Sequence, residues 1–347
     1  MHLNLFNEYL KCGLGRCFEI LSDCADREPY RPSVLDICLN NPSFDTQSEG
    51  TRAEYVYRLV SLFGDDEYFV TPVIQKLWTV LDDSGWDFAH LYDLAEQFAV
   101  NGNESAENAL REAYGRLYGI LLDRTHLDDY DGARDAFERV CVSFANRYGA
   151  PAYERIIADM GNLFLKNSRY GADDFDWFFF CYNEHMGMCS NGIPKTTCDT
   201  SSATAPERRQ TDEGAEEKEK ERERAIKMLA VGENVGEAVG KLVRNYRPCD
   251  KEILIDSLNK MEIDADEESG WHSAFIEILN GFDRGAKLPR ETLEFIYEHS
   301  LCSCCRENAV RSMDKRGWLT DEIKRECLYD SNPDTVSYVK RFLKATT

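Results

Sequence analysis

The chain has 347 residues, 43% of them hydrophobic, and a formal net charge of −22, which is enough material for two cores. The acidity is uneven: residues 1–200 carry 33 acidic and 17 basic side chains, whereas 301–347 carry 7 and 9. Such an N-terminal surface repels phosphates, which argues against direct nucleic-acid binding and leaves two readings, plain solubility or a basic protein partner.

Apolar residues recur at helical spacing almost throughout, which predicts an all-α protein. In chain order, helices are expected near 50–63 and 67–81. The next stripe is Phe88, Leu91, Tyr92, Ala95, Phe98 and Ala99. Further helices are expected near 104–121, 131–148, 151–166, 223–246 and 250–261. A last clear stripe follows in Trp271, Ala274, Phe275, Ile278, Leu279 and Phe282. "DWFFFCY" (Asp176–Tyr182) is the one strand-like run, and its length does not separate a strand from a buried helix. Breaks are marked by Asn41-Pro42, Gly149-Ala150-Pro151 and Asn332-Pro333, the last an N-cap followed by proline at the first helical position. Gly317 stands where a helix C-terminus favours a left-handed residue.

The stretch 189–222 is small and polar, then rich in alternating Glu and Lys or Arg. It reads as a flexible charged linker whose end begins the next helix. Three parts are therefore expected: an acidic helical-repeat domain over 1–188, the linker over 189–222, and a C-terminal repeat domain over 223–347.

The phrase Glu-Asn-Ala-aliphatic-Arg occurs twice, at Glu107–Arg111 and Glu307–Arg311. Near the C-terminus, an offset of 30 aligns Leu293 with Ile323, Tyr297 with Cys327, Ala309 with Val339 and Met313 with Leu343. Residues 293–316 and 323–346 thus read as two copies of one helical hairpin. "CLYDSNPDTVSYVKRFL" (Cys327–Leu343) and "CRENAVRSM" (Cys305–Met313) resemble HEAT repeats. The matching residues are Leu328, Asp330, Asn332, Val336, Val339 and Leu343 in one, and Arg306, Ala309, Val310 and Met313 in the other. The resemblance is clearest in 293–343 and weaker in 87–118 and 31–64. Asn103, Ala109 and Leu110 carry it in the first weaker region, and "FDTQSEGTRAEYVYRLV" (Phe44–Val60) in the second. The arginine of the pattern is Arg306 in one copy but Ala106 and Val336 in the others. The resemblance implies an α-solenoid of helical hairpins, in two halves joined by the polar linker. It also implies that Ala109 and Ala309 sit at close helix contacts, Leu110 and Val310 in the core, and Arg111 and Arg311 outside. Relatives in that family that bind DNA need a basic concave face, which this chain lacks.

Several constellations are candidates for chemistry. Cys181, His185 and Cys189 lie at i, i+4 and i+8, with Cys198 further on, a set able to ligate zinc. His299, Cys302, Cys304 and Cys305 form a second such cluster, at the turn between two repeat helices. Against both stands the packing of buried cysteine beside a core histidine. Asp128, Asp129 and Asp131 offer oxygen ligands to a hard cation, but the calcium-loop pattern is absent and a helix N-terminus explains the run. "GENVGEAVGK" fails the phosphate-loop spacing, and Gly232, Gly236 and Gly240 read as one face for close helix packing. The histidines 2, 90, 126, 185, 272 and 299 are dispersed. His90 and His272 lie within amphipathic helices and read as packing or rim residues.

No catalytic, cofactor or metal residue is therefore assigned. Thirteen scattered cysteines read as reduced thiols of a cytoplasmic protein. No apolar run approaches the ~20 residues of a membrane span, and the N-terminus lacks the pattern of a signal peptide. The expectation is a non-catalytic scaffold or adaptor that holds a protein partner on a curved helical-repeat surface, a basic partner being the one the acidity suits. The alternatives are an acidic inhibitor that imitates nucleic acid and, further off, a metal-dependent hydrolase.

Overall fold

A computed structural model describes residues 3–81, 86–123, 132–185, 212–265 and 270–344. Among them every regular element is helical and there is no strand. The chain opens with α1 (Leu3–Cys12), α2 (Arg16–Asp23), α3 (Arg31–Leu39), α4 (Thr46–Glu49) and α5 (Ala53–Ser61). Longer elements follow: α6 (Asp66–Thr79), α7 (Trp86–Val100), α8 (Glu104–Asp123), α9 (Gly132–Tyr148), α10 (Ala150–Lys166) and α11 (Asp176–His185). The C-terminal part contains α12 (Asp212–Val231), α13 (Val235–Arg244), α14 (Lys251–Asn259), α15 (Trp271–Asp283), α16 (Arg290–His299), α17 (Ser303–Lys315), α18 (Asp321–Cys327) and α19 (Pro333–Lys344). No helix among the described residues is long and apolar enough to cross a membrane.

Local chemistry accounts for the boundaries. "DWFFFCY" is helical: Phe178 is fully buried while its neighbour Trp177 is exposed. Glu138 caps this helix by accepting from the Phe178 N–H at 3.0 Å. The single helix expected over 223–246 is two. Gly232 at φ 72° and Asn234 at φ 45° end α12 and start α13, so Gly232 leaves the face shared by Gly236 and Gly240. Those two do lie at close contacts: a Cβ on Gly240 would stand 3.3 Å from Glu277 Cγ, and Gly236 lies against Gly270. Gly317, at φ 69°, closes α17.

The chain divides into two units. One contains Leu35–Asn41 and Gly64–Pro206. Here α6 to α10 pack each on its neighbour, and α11 returns to α9. Phe69, Tyr92, Phe98, Tyr114, Leu117 and Phe137 are buried among them.

The other unit contains Met1–Val34, Pro42–Phe63 and Glu207–Thr347. This differs from the expected division at 189–222, because α1, α2, α4 and α5 belong with the C-terminal helices. The reason is a set of contacts between chain ends. Arg16 pairs with Glu326 at 2.8 Å, and the Ser331 N–H donates to the Gly13 carbonyl at 2.9 Å. The buried Arg52 donates to the Leu301 carbonyl at 3.0 Å and to Glu49 at 2.7 Å. Partners so distant in the chain leave no mark on local composition. Of the expected linker, 189–211 lie outside the described residues, and 212–222 are already helical in α12.

Within this unit α16 with α17 and α18 with α19 form two helical hairpins, and α17 packs on α19. Leu293, Tyr297, Ala309, Val310 and Met313 are buried, as are Cys327 and Val339. Cys302 and Asn332 hold equivalent places in the two hairpins, one just before α17 and the other just before α19.

Candidate functional site

The cysteines of the second cluster sit at the start of α17. Cys302 is the N-cap, and its Sγ accepts from the Cys305 N–H at 3.4 Å. The turn is fixed from several sides. Ser300 Oγ donates to the Cys302 carbonyl at 3.0 Å, and the Ser303 N–H donates to Glu49 Oε1 at 2.7 Å. Cys302 and Cys305 are buried, and Cys304 is half-buried.

The histidine that joins them is His272, not His299. His272 belongs to the first turn of α15, which packs on α17. Its ring packs beside Phe44, at 5.3 Å, and Trp271, at 5.2 Å. The ligating atoms of His272, Cys302 and Cys305 all lie within 4.8 Å of one another. His299 ends α16, packs tilted against Phe295 at 4.4 Å, and lines a different groove with Tyr9 and Met261. The expected cluster thus keeps its thiols and changes its imidazole. Sequence adjacency favours His299, whereas the α15–α17 packing delivers His272 from an earlier helix. One signal of this is present in the sequence. His272, Ile276, Leu279 and Asp283 are spaced 4, 3 and 4 apart, a second face of α15, and all four line one cavity.

That cavity has a volume of about 340 Å³. Cys302, Cys304 and Cys305 form part of its wall, with Asp45, Arg311 and Lys315. Both cations are already paired, Arg311 with Glu307 and Lys315 with Asp283 at 4.0 Å. Electrostatically the three thiols are unequal. Hydrogen bonds from Cys304 and then Cys305 hold the Cys302 thiol below its ordinary range, and His272 adds to this. The same bonds to Cys302, reinforced by burial, push Cys304 and Cys305 up. A helix N-terminus favours negative charge on Cys302 in the same sense. The arrangement offers one polarised sulfur, two further thiols and an imidazole at a cavity wall.

Most of the other sequence candidates lie outside the described residues. Cys181 is half-buried on α11. The His185 side chain, Cys189 and Cys198 lie outside the described residues, as do Asp128, Asp129, Asp131, His2 and His126. His90 is fully buried and its Nε2–H donates to the Ile37 carbonyl at 2.9 Å, a packing role. The repeated phrase is structural in both places. Ala109, Leu110, Ala309 and Val310 are buried. Arg111 and Arg311 lie at the surface and pair one turn back with Glu107 and Glu307.

Two features of this unit escape a reading of the sequence. Gly13 and Gly15 let the N-terminal chain meet the α18–α19 turn: a Cβ on Gly15 would fall 1.8 Å from the Glu326 carbonyl oxygen. Arg52 and Glu49 form a buried pair beside α17. No protein-family model, curated protein or solved structure matches the chain.

Proposed function

We propose that this chain is a non-catalytic scaffold of the cytoplasm, built as a HEAT-like α-solenoid, that holds a basic protein partner on its helical-repeat surface. The reading rests above all on the hairpins α16–α17 and α18–α19, in which equivalent positions are buried, Tyr297 with Cys327 and Ala309 with Val339. A lone hairpin cannot bury its apolar stripe, so such units stack, and stacks present extended surfaces to partners. The acidic excess over 1–200 favours a basic partner. The described cysteines are all thiols, in keeping with a reducing compartment.

The test uses the tagged full chain as bait in native lysate at low and high salt, with recovered proteins identified by mass spectrometry and their contacts mapped by cross-linking. The expected result is a basic protein retained at low salt, shed at high salt, and lost when acidic residues at the cross-linked face are reversed in charge. A partner indifferent to salt and to charge reversal would overturn the electrostatic part of the reading. Recovery of no partner would overturn the scaffold itself.

A further inference from the structure

We propose that Cys302, Cys305 and His272 bind a zinc ion, with the fourth coordination position turned toward the cavity and Cys304 at its edge. Such a site needs no partner protein to complete it.

Four observations converge on it. The first is donor chemistry: two thiols and one imidazole are ligands that zinc prefers, and soft sulfur discriminates against magnesium and calcium. The second is geometry. Around tetrahedral zinc, with bonds of about 2.3 Å to sulfur and about 2.0 Å to nitrogen, neighbouring ligand atoms stand roughly 3.5–3.8 Å apart. The three atoms already lie within 4.8 Å, so small side-chain rotations close the set without moving the backbone.

The third is preorganisation. Cys302 is fixed as the N-cap of α17, and the His272 ring packs against both Phe44 and Trp271. Sulfur is a poor helix cap beside Ser, Thr, Asp or Asn. In the neighbouring repeat the equivalent residue is Asn332, whose Oδ1 accepts from the Asp334 N–H at 2.9 Å. Capping therefore does not account for a cysteine at 302, whereas a ligand role does. The fourth is charge. Two thiolates neutralise the dication, and the imidazole binds as the neutral ring, so the set leaves no net charge at the cavity wall. Binding exchanges two thiol protons for the metal ion, with no change of oxidation state.

The experiment is a titration of the reduced full chain with Zn²⁺, read by native mass spectrometry, and with Co²⁺, read by absorption. The expected result is one tightly held ion per chain, tetrahedral Co²⁺ bands and sulfur-to-cobalt charge transfer. Cys302→Ser, Cys305→Ser and His272→Ala should each weaken binding at least tenfold. Cys304→Ser should retain one ion, and His299→Ala should bind like the parent. Circular dichroism of each variant separates loss of metal from loss of fold. Cys304→Ser and His299→Ala, which spare the three ligands, keep the comparison interpretable if a ligand variant unfolds. No tight ion in the parent chain, octahedral cobalt spectra, or zinc lost with His299→Ala would each overturn the assignment.

Discussion

Arg306 and Asp330 form an ion pair at 3.3 Å with both side chains completely buried. Arg306 also donates to the Ser300 carbonyl at 3.0 Å and to Ser331 Oγ at 2.9 Å. Asp330 in turn accepts from the Asn332 N–H at 2.8 Å, at the start of α19. One guanidinium therefore ties the end of α16 to the turn between α18 and α19. Removing one member strands the other charge inside the protein, a loss of about 3–5 kcal/mol. Arg306→Met should accordingly raise amide exchange across 303–344. Adding Asp330→Asn should recover part of the loss, because the two residues act as one unit. Hydrogen exchange read by mass spectrometry checks both, and equal exchange in single and double variants would dismiss the coupling.

Gly15 is helical in its own backbone, at φ −60° and ψ −19°, so alanine would suit the local conformation. The added Cβ nevertheless meets the Glu326 carbonyl oxygen at 1.8 Å, and backbone cannot step aside as a side chain can. Gly15→Ala should therefore cost about 1–3 kcal/mol. Gly115, inside α8, has open space around the same position, and Gly115→Ala should add about 0.5–1 kcal/mol. Thermal melts of the two variants should move in opposite directions.

Glu107 accepts from Arg111, Arg147 and Tyr148 together. Burial by itself would raise its pKa, but the bond from Tyr148 and those from the two arginines outweigh it and lower the value. Its contribution is present above the ordinary glutamate value of about 4.3 and disappears as pH falls through the lower folded value. Glu107→Gln should cost about 1–2 kcal/mol at neutral pH and little at the acid end. Glu112, whose partner is the exposed Arg116 one turn on, should cost under about 0.5 kcal/mol when changed to Gln. Urea unfolding of both variants across pH 3–7 distinguishes them.

His90 is fully buried, with Nδ1 unpartnered and Nε2–H on the Ile37 carbonyl. Burial lowers its pKa below the ordinary value, against the raising effect of that backbone bond. In the window from about pH 6.5 down to the lowered folded value, the unfolded chain binds the proton and the folded one does not. Stability should decline over that window as pH falls. His90→Asn should flatten this part of the stability profile; an unchanged slope would assign it to another group.

How much of this architecture is legible in the sequence depends on the range of each interaction. The stripe from Trp271 to Phe282 is written in consecutive turns of one helix, and its buried positions follow from spacing. Gly317 and Asn332-Pro333 mark helix ends through their own backbone preferences. The break at Gly232–Asn234 is also local, but glycines at intervals of four imitate a continuous face and conceal it. His272 is hidden for a different reason: the face it shares with Ile276, Leu279 and Asp283 does not say which helix packs on it, and its thiol companions come from α17.

Side-chain periodicity within a few turns is sufficient to dictate an all-helical chain, the matched spacing of the last two hairpins, and the buried faces of most helices. It does not dictate that the segment before α6 divides between two units, that Arg52 and Gly15 meet the C-terminal hairpins, or that His272 replaces His299 beside Cys302 and Cys305. Those outcomes rest on contacts between segments far apart in the chain. Shape and hydrogen-bond complementarity select such contacts, and neither is encoded in a local pattern.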